Sequence, residues 1–427
     1  MNKKIITSNI LGESYYKYNH PTGLTIYLYP KTDFASSYAM FSTNYGSIDT
    51  KFKLSTDEKI HTVPSGIAHF LEHKLFESED GDAFARYAKT GASANAFTSF
   101  DNTSYLFSTT ENFYDALEIL LDFVQSPYFT KETVDKEQGI IAQEIKMYDD
   151  EPTWRVLFNL LRSMYKKHTV KEDIAGTVES IMQITAEYLY DCYRTFYNLN
   201  NMSLTIAGNF DIDKTLELCD KMLKQSENVE IERFFEEEPD EVVTNFVEEK
   251  MAVSTNIFQF GFKENIKGLK SEKDLAITEI LIDIIASTSS ALYKKLYDMN
   301  LINDSTFQYE YFEGESFSAI LFGGESKNPQ LVKTEICNYI SELKKTGIDE
   351  DDFIRTKKAI YGANVSGLDK VSTLVHAISS LNFKDRELFR YIDSFAEITI
   401  DDVNKRLNEL FQVEYSVLSI ISPTDKN

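Results

Sequence analysis

The segment "HFLEH", residues 69 to 73, places two histidines and a glutamate in five consecutive positions of a chain that has only six histidines. His69 and His73 are four residues apart, so on a helix their rings project from the same side, one turn apart. Glu72 follows His69 by three residues and lies on that side as well. Two imidazoles in this arrangement can converge on one Zn²⁺, each with a nitrogen about 2.0 to 2.1 Å from the metal. The carboxylate would then reach water at the metal rather than the metal itself.

The sequence around this segment predicts a helix. In "VPSGIAHFLEHKLFES", Ser65 can cap the first turn by accepting a hydrogen bond from a backbone N–H. Apolar residues follow at helical spacing and define one face: Ile67, Phe70, Leu71 and Leu75. The H-x-x-E-H pattern is the inverted form of the common zinc-protease helix motif. Because short patterns also arise by chance, a catalytic zinc site additionally requires a third protein ligand and an open position.

A second helical segment offers that third ligand. In "VDKEQGIIAQEIKMYDDEP", Glu137 and Glu144 are seven residues apart, which is two helical turns and therefore one face. We expect the isoleucines between and beside them to pack elsewhere: Ile140, Ile141 and Ile145. A glutamate on the acidic face could complete a set of two histidines and one glutamate. The alternative is that both glutamates simply form the solvated side of the helix.

Strand-like segments rich in Val, Ile, Tyr, Phe and Thr alternate with helical segments in both halves of the chain. This alternation favours α/β or α+β domains. The predicted strands are 24–30, 37–43, 103–109, 202–208, 256–262, 317–323 and 415–421. The predicted helices lie near 65–77, 81–90, 111–125, 131–149, 185–195, 271–299, 329–345, 350–365 and 400–410.

A chain of 427 residues is too long for one ordinary domain, and two domains of about 200 residues are expected. The segment 224–245 is acidic and polar and has no apolar helical stripe, which is typical of an exposed linker. We therefore predict an N-terminal metal-binding domain at 1–223 and a C-terminal domain at 246–427, which carries no H-x-x-E-H pattern.

The two halves resemble each other in pattern. A shift of 219 residues aligns 115–125 with 334–344, and 129–145 with 348–364. In both copies a helix ends, a turn follows, and acidic residues open the next helix, where carboxylates interact favourably with the helix dipole. A duplicated domain explains this similarity, and a chance likeness of two amphipathic helices is the alternative.

The aligned copies differ in the residues that could bind a metal. Glu137 aligns with Thr356 and Glu144 with Ala363, and the second half contains no H-x-x-E-H pattern. We therefore expect the chemistry in the first half, and a C-terminal repeat of the same fold without it.

Charge restricts the partners. The chain has 44 Lys and Arg against 68 Asp and Glu, a net charge of −24, and its isoelectric point is near 4.7. Such a surface repels phosphate backbones, so we expect no nucleic-acid partner. The charge alone is typical of a soluble acidic protein.

Cysteine usage and hydropathy bear on the compartment. Cys192, Cys219 and Cys337 are scattered and form no CxxC pair, so neither a disulfide framework nor a thiolate metal site is indicated. The apolar stretch after the N-terminal lysines is short and contains Ser8 and Asn9, and no uninterrupted apolar run of about 18 residues follows. We expect a soluble cytoplasmic protein with no membrane partner.

Four segments together resemble the pitrilysin/insulinase family of inverted-motif zinc metallopeptidases, which also contains the mitochondrial processing peptidases. The first two are "GIAHFLEHKLFE" and "GASANAFTSFDNTSYLF". The third is "EQGIIAQEI", which places a glutamate 71 residues after the second histidine, and the fourth is "YRTFYNLNNMSLTIAGNFD". The short two-domain form and the segment "HKLFESEDGDAF" are most similar to a bacterial branch found in Gram-positive organisms.

The resemblance implies roles for five residues. His69, His73 and Glu144 match the family's ligands for one Zn²⁺ per chain, and Glu72 matches its general base. Glu137 matches the family's second acidic residue, which would orient an imidazole or support the metal from behind the ligands.

The resemblance also implies a binding strand and a fold. Asn95 and Ala96 match the "NA" of the family's active-site strand, where a peptide substrate adds as an extra strand through its backbone. An ordinary edge strand with small residues is the alternative. In the family each half is an α/β roll, an antiparallel-rich sheet with packed helices. We therefore expect an α+β fold of two homologous rolls that close in the manner of a clamshell.

The implied function is zinc-dependent hydrolysis of peptides or unstructured polypeptide segments, with a peptide as substrate. One departure concerns the arginine and tyrosine that peptide-degrading members often carry in a later domain, because Tyr297 and Asp304 stand at those places. A partner subunit could supply the missing groups, so we expect a homodimer or a heterodimer with a related chain. Two alternatives remain: a catalytic half that is inactive without a sister chain, and a non-catalytic peptide-binding or structural member of the family.

Overall fold

The computed structural model of the chain describes residues 2–55, 59–79, 81–225, 229–264 and 270–424. As far as these residues go, the chain forms two compact units. Unit 1 contains Met1–Ile145, Glu172–Phe234 and Val365–Arg390. Unit 2 contains Lys146–Lys171, Phe235–Asn364 and Tyr391–Asn427. Each unit includes a segment from the other half of the sequence. The predicted division of the sequence into domains at 1–223 and 246–427 stays a prediction.

The strands of the described residues, in chain order, are β1 (Asn2–Ser8), β2 (Glu13–Asn19), β3 (Thr25–Pro30), β4 (Ser37–Thr43), β5 (Lys51–Leu54), β6 (His61–Thr62), β7 (Glu77–Ser78), β8 (Gly81–Asp82), β9 (Ser93–Thr98), β10 (Thr103–Thr109), β11 (Met202–Gly208), β12 (Ile231–Arg233), β13 (Phe246–Met251), β14 (Asn256–Glu264), β15 (Gln308–Glu313), β16 (Ser318–Ser326) and β17 (Ser416–Pro423). All seven predicted strands are present, and their ends agree with the observed strands to within three residues.

The α-helices of the described residues, in chain order, are α1 (Ile67–Leu75), α2 (Ala83–Tyr87), α3 (Phe113–Phe123), α4 (Lys131–Asp149), α5 (Pro152–Met164), α6 (Val178–Ile181), α7 (Ala186–Phe196), α8 (Ile212–Met222), α9 (Glu272–Ala286), α10 (Ala291–Asp298), α11 (Pro329–Thr346), α12 (Glu350–Gly367), α13 (Val371–Phe383), α14 (Leu388–Ser394) and α15 (Ile400–Leu410). The predicted helices at 131–149 and 400–410 coincide with α4 and α15.

Unit 1 is built on a seven-stranded sheet with the order β1-β2-β3-β11-β4-β10-β9. Neighbouring strands are antiparallel except β3 and β11, which are parallel. The predicted strands of the first half form its centre, where apolar side chains such as Phe41, Phe107 and Leu204 are fully buried. The strand β9 forms one edge of this sheet.

Unit 2 repeats the arrangement of five of these seven strands. Its five-stranded sheet has the order β13-β17-β14-β16-β15, with β13 and β17 parallel and the remaining neighbours antiparallel. The strands β3-β11-β4-β10-β9 of unit 1 have the same directions in the same order. The helices α11 and α12 follow β16 as α3 and α4 follow β10. The expected α+β fold is confirmed, and this shared topology agrees with a duplicated domain.

One helix from the opposite half of the sequence completes each unit. In unit 1, α13 packs on β11 and β4, and Ser379 donates a hydrogen bond to Ser42 (3.3 Å). In unit 2, α5 packs on β14 and β17. Neither helix was predicted. The helix α5 begins where Pro152 occupies the first turn and the Glu151 side chain accepts a hydrogen bond from the Thr153 N–H.

Two parts of the segment 224–245, for which an exposed linker is expected, make ordered contacts. The strand β12 pairs with β5, and the side chain of Glu238 is only 7% exposed. Glu238 accepts hydrogen bonds from three consecutive backbone N–H groups and from the buried ammonium of Lys263 (2.6 Å). Burial raises the pKa of Glu238, but these donors outweigh it and lower the pKa to about 2. Residues 226–228 lie outside the described residues.

The segment Glu272–Asp298 is long and apolar enough to cross a membrane, by length and composition alone. The single helix predicted at 271–299 is two helices, because Ser287 ends α9 and the Ser290 side chain caps α10. The helix α9 has Ile280 and Leu281 fully buried within unit 2. A core helix of a soluble protein passes the same test, so this segment gives only weak evidence of a membrane span.

Candidate metal centre and active site

The helix α1 begins at a glycine rather than at the predicted cap. Gly66 is the N-cap residue with φ 87°, and no side chain caps the helix. A Cβ at Gly66 would lie 2.3 Å from the Ala175 carbonyl oxygen, so the position requires both the left-handed backbone and the absence of a side chain. The predicted role of Ser65 was therefore wrong. Its carbonyl oxygen instead accepts a hydrogen bond from the Ser180 hydroxyl (2.8 Å).

The apolar face predicted for α1 is buried. Its four residues are at most 2% exposed: Ile67, Phe70, Leu71 and Leu75. Burial of this face fixes the rotation of the helix and directs the polar residues towards β9 and α4. His69 and Glu72 are each 8% exposed, so both are polar groups held inside the protein.

The structure brings His69, His73 and Glu144 together. The Nε2 atom of His69 lies 3.7 Å from Glu144 Oε1, and that of His73 lies 3.5 Å from Glu144 Oε2. Three ligand atoms, one from each side chain, lie within 4.8 Å of one another. Ligands at about 2.0 to 2.1 Å on a tetrahedral Zn²⁺ lie about 3.4 Å apart. These three side chains could therefore hold a zinc ion with little movement.

The second ring nitrogens of the two histidines have different surroundings. His73 Nδ1 donates a hydrogen bond to Glu137 Oε1 (3.1 Å), and in the neutral ring this contact leaves the Nε2 lone pair directed towards Glu144. His69 Nδ1 is buried and has no hydrogen-bond partner among the described residues. Glu137 thus fixes the orientation of one imidazole, and packing fixes the other.

The pKa values of the two histidines shift in opposite directions. Burial, together with the neighbouring His73, lowers the pKa of His69 and favours the neutral ring that a metal requires. Burial also lowers the pKa of His73, but the hydrogen bond to Glu137 and the adjacent carboxylates outweigh it and raise that pKa. A metal ion and a proton compete for the His73 ring, so low pH should weaken metal binding.

Glu72 lies beside this cluster and not within it. Its Oε2 accepts a hydrogen bond from the Thr98 hydroxyl (2.8 Å). Burial raises the pKa of the Glu72 carboxyl, while the Thr98 hydrogen bond and the charge of His73 oppose that shift. Thr98 was not among the predicted site residues. Because side chains alternate along a strand, Thr98 lies on the same face as Ala96. That alternation can be read from the sequence, but it does not show that Thr98 contacts Glu72.

The candidate binding residues lie on the edge strand β9. Asn95 is exposed and Ala96 is half-buried, and the Asn95 Oδ1 accepts the Ala96 N–H (2.9 Å). This backbone donor therefore bonds to a side chain and not to the neighbouring strand. Phe97 points to the opposite face of the sheet from Ala96 and stacks on His376 of α13 (ring centroids 5.7 Å apart).

An open cleft of about 620 Å³ adjoins these groups, and Glu72, His73, Asn95, Ala96 and Glu137 are among its lining residues. Three apolar side chains form another part of the cleft wall. They are Phe76, which follows α1, Phe84 of α2 and Ile140 of α4.

Two of these apolar side chains face solvent. Phe84 is 45% exposed and its ring stacks on Phe76 (centroids 4.3 Å apart). Ile140 is 46% exposed, whereas Ile141 and Ile145 are buried, so the expectation that Ile140 packs away from the acidic face was wrong. One turn of helix separates Ile140 from Glu137 and another separates it from Glu144, which places all three on one face.

Tyr297 and Asp304, which stand where the resemblance leads us to expect the family's arginine and tyrosine, belong to unit 2. Tyr297 is 52% exposed on α10, and its ring lies parallel to that of Tyr293. The site residues described above all belong to unit 1.

A donor set of two histidines and one glutamate that could hold a metal ion, on an H-x-x-E-H helix beside an edge strand, fits the inverted zinc-protease motif. The family model for Insulinase (Peptidase family M16) matches residues 62–178, and that for the Peptidase M16 inactive domain matches residues 183–360. The uncharacterized zinc protease YmfH of Bacillus subtilis (strain 168) is 40% identical over 407 residues, 93% of this chain and 94% of the relative. The chain belongs to the insulinase family of peptidases, M16, and the predicted resemblance, including its Gram-positive branch, is confirmed.

Other relatives and solved structures agree. The uncharacterized zinc protease YmxG of Bacillus subtilis is 24% identical over 385 residues, 85% of this chain and 90% of the relative. The crystal structure of an M16-like peptidase from Alicyclobacillus acidocaldarius matches with a TM-score of 0.92 and 36% identity, over 96% of this chain and 98% of that one. A protease from Helicobacter pylori has the same fold, with a TM-score of 0.82 at 20% identity over 96% of this chain and 99% of that one.

Proposed function

We propose that this protein is a zinc-dependent endopeptidase that hydrolyses peptides or unstructured polypeptide segments. The observation that carries the proposal is the convergence of His69, His73 and Glu144 beside the buried carboxylate of Glu72. The names of the relatives as zinc proteases support zinc as the metal, with one ion per chain for one such donor set.

Each side chain of the site has a separate role in the proposed reaction. Zinc, when bound, supplies a Lewis acid that makes water easier to deprotonate and polarises the peptide carbonyl. Glu72 takes the proton of the attacking water and later delivers it to the leaving amine. The raised pKa of Glu72 suits this double task, because the group must first accept and then release a proton near neutral pH. Glu137 holds the His73 ring in the orientation that presents Nε2.

The edge strand β9 supports a peptide as the substrate. An extended peptide can add to a free sheet edge through its backbone, as it does in other proteins that bind by strand addition. The Ala96 N–H is the donor that a peptide carbonyl would meet, once the Asn95 side chain moves away from it. The exposed ring of Phe84 and the exposed side chain of Ile140 favour binding of a large apolar substrate residue in the adjoining cleft.

The assembly and the compartment are also proposals. We propose that a second chain completes the active site, in a homodimer or in a heterodimer with a related chain, because Tyr297 and Asp304 replace the family's arginine and tyrosine. We propose the cytoplasm as the compartment, in keeping with the free thiols of Cys192, Cys219 and Cys337. A non-catalytic member of the family is the alternative function, and the match to an M16 inactive domain concerns residues 183–360 alone.

Hydrolysis of a mixed pool of short unstructured peptides, followed by mass spectrometry, tests the proposed function. We expect the purified chain to contain about one zinc per chain and to cleave peptides. A zinc chelator should stop cleavage and added zinc should restore it. A protein with zinc bound and no cleavage, both alone and with a related chain from the same genome, would favour the non-catalytic alternative.

Replacement of Glu137 by glutamine should weaken zinc binding without removing it. The variant loses the anionic acceptor behind His73, and loss of such a partner typically costs about 10- to 100-fold in metal affinity. Competition with a chromophoric chelator measures this affinity. The matched control is Glu132→Gln in the first turn of the same helix, where the side chain is exposed and we expect no change. Equal affinities of the two variants would remove Glu137 from the metal centre.

A further inference from the structure

The carboxylate of Glu72 is held by the edge strand of the unit 1 sheet. Thr98, the last residue of β9, donates a hydrogen bond from Oγ1 to Glu72 Oε2 (2.8 Å). Among the described residues this is the one hydrogen bond that the Glu72 side chain accepts. Because Glu72 is 8% exposed, water competes little for that oxygen, and the contact selects one orientation of the carboxylate.

Orientation matters for a group that must move a proton. The terminal torsion of a glutamate side chain has broad, shallow minima, so packing alone fixes the carboxylate plane poorly. With Oε2 engaged by Thr98, Oε1 is the oxygen that remains for proton transfer. A carboxylate free to rotate would spend much of its time with neither oxygen correctly aimed, and misplacement of a reacting group by about 1 Å can cost 100-fold in rate.

We propose that Thr98 is a positioning residue that aims the Glu72 carboxylate, an inference that rests on the proposed role of Glu72 as general base. Thr98 lies two residues after Ala96 on the strand that offers its edge to a peptide. One short strand would thus align the peptide and, through the hydroxyl of Thr98, align the base that acts on it.

Three variants test this role. Thr98→Val keeps the shape and the strand preference of the residue and removes the hydroxyl. We expect kcat to fall by about 10- to 100-fold, the value of a hydrogen bond to a charged group, with KM and zinc affinity unchanged. Thr98→Ser retains the donor and should restore kcat. Thr205→Val is the matched control in the same sheet, because the Thr205 hydroxyl is buried without a hydrogen-bond partner among the described residues.

Crystal structures of the zinc-loaded wild type and Thr98→Val add a measurement that does not depend on activity. We expect one Glu72 orientation in the wild type and a rotated or divided carboxylate in the variant. An unmoved carboxylate together with unchanged kcat would overturn the proposal. A fall in kcat matched by equal losses in zinc affinity and thermal stability would also overturn it, since that pattern marks a structural role. Wild-type protein that binds zinc but cleaves nothing would contradict the peptidase function instead, and the Glu72 orientation would still decide the role of Thr98.

Discussion

Replacement of Glu72 by glutamine should abolish peptide hydrolysis and leave the zinc content unchanged. Glutamine has nearly the shape of glutamate and its amide oxygen can still accept the Thr98 hydrogen bond, so the buried site keeps its packing. The amide cannot take a proton from water, however, and general acid–base catalysis is typically worth about 10²- to 10⁴-fold. Zinc should remain, because Glu72 lies outside the cluster formed by His69, His73 and Glu144.

The decisive measurement compares kcat/KM and zinc per chain for wild type, Glu72→Gln and Glu132→Gln, purified in the same way. Glu132→Gln carries the same change of charge at an exposed position and should behave as the wild type. Hydrolysis that persists in Glu72→Gln would assign the proton transfers to another group. Loss of zinc from Glu72→Gln would instead place Glu72 among the ligands and require a different base.

The central strands of both sheets could be predicted because their burial is visible in the sequence itself. Segments such as 202–208 are apolar or small along their whole length, as strands covered on both faces must be. The helices α5 and α13 were not predicted, although both complete a unit. The helix α13, "VSTLVHAISSLNF", contains Val, Ser and Thr residues with modest helix preference, and the sheet that buries it lies more than 150 residues earlier in the chain. Local pattern carries no information about such a partner.

The residues of the site also differ in whether local spacing in the sequence is enough to place them. His69, Glu72 and His73 lie within two helical turns, so spacing alone places them on one side of α1. Glu144 could be placed on the correct face of its own helix, but its distance from the histidines depends on how α4 packs against α1. Thr98 was missed for the same reason, since its hydrogen bond to Glu72 joins positions 26 residues apart across two elements.

Ile140 shows how composition can mislead near a site. The three isoleucines near the two glutamates were expected to pack away from the acidic face, and Ile141 and Ile145 are buried. Ile140 instead shares the face of Glu137 and Glu144 and lines the cleft. Exposure of a large apolar side chain costs free energy, which a substrate that covers it would recover.

Replacement of Glu144 by glutamine should release zinc. The variant loses the one anionic donor of the cluster, and two imidazoles with ring centroids 4.5 Å apart remain. Loss of a direct ligand should exceed the roughly 10- to 100-fold cost of losing a supporting residue, so we expect zinc affinity to fall by more than about 100-fold. Zinc per chain after dialysis, and competition with a chelator, measure the effect, and circular dichroism checks that the fold is intact.

The helix α4 provides its own controls for this prediction, because it carries three glutamates that accept the same substitution. Glu144 directly faces both histidines, Glu137 contacts the outer nitrogen of His73, and Glu132 is exposed near the start of the helix. Zinc affinity should therefore fall most in Glu144→Gln, less in Glu137→Gln and not at all in Glu132→Gln. A retained zinc content in Glu144→Gln, or equal losses in Glu144→Gln and Glu137→Gln, would contradict the proposed ligand set. Graded losses in the expected order would assign the third ligand by its geometry, independently of whether any peptide is cleaved.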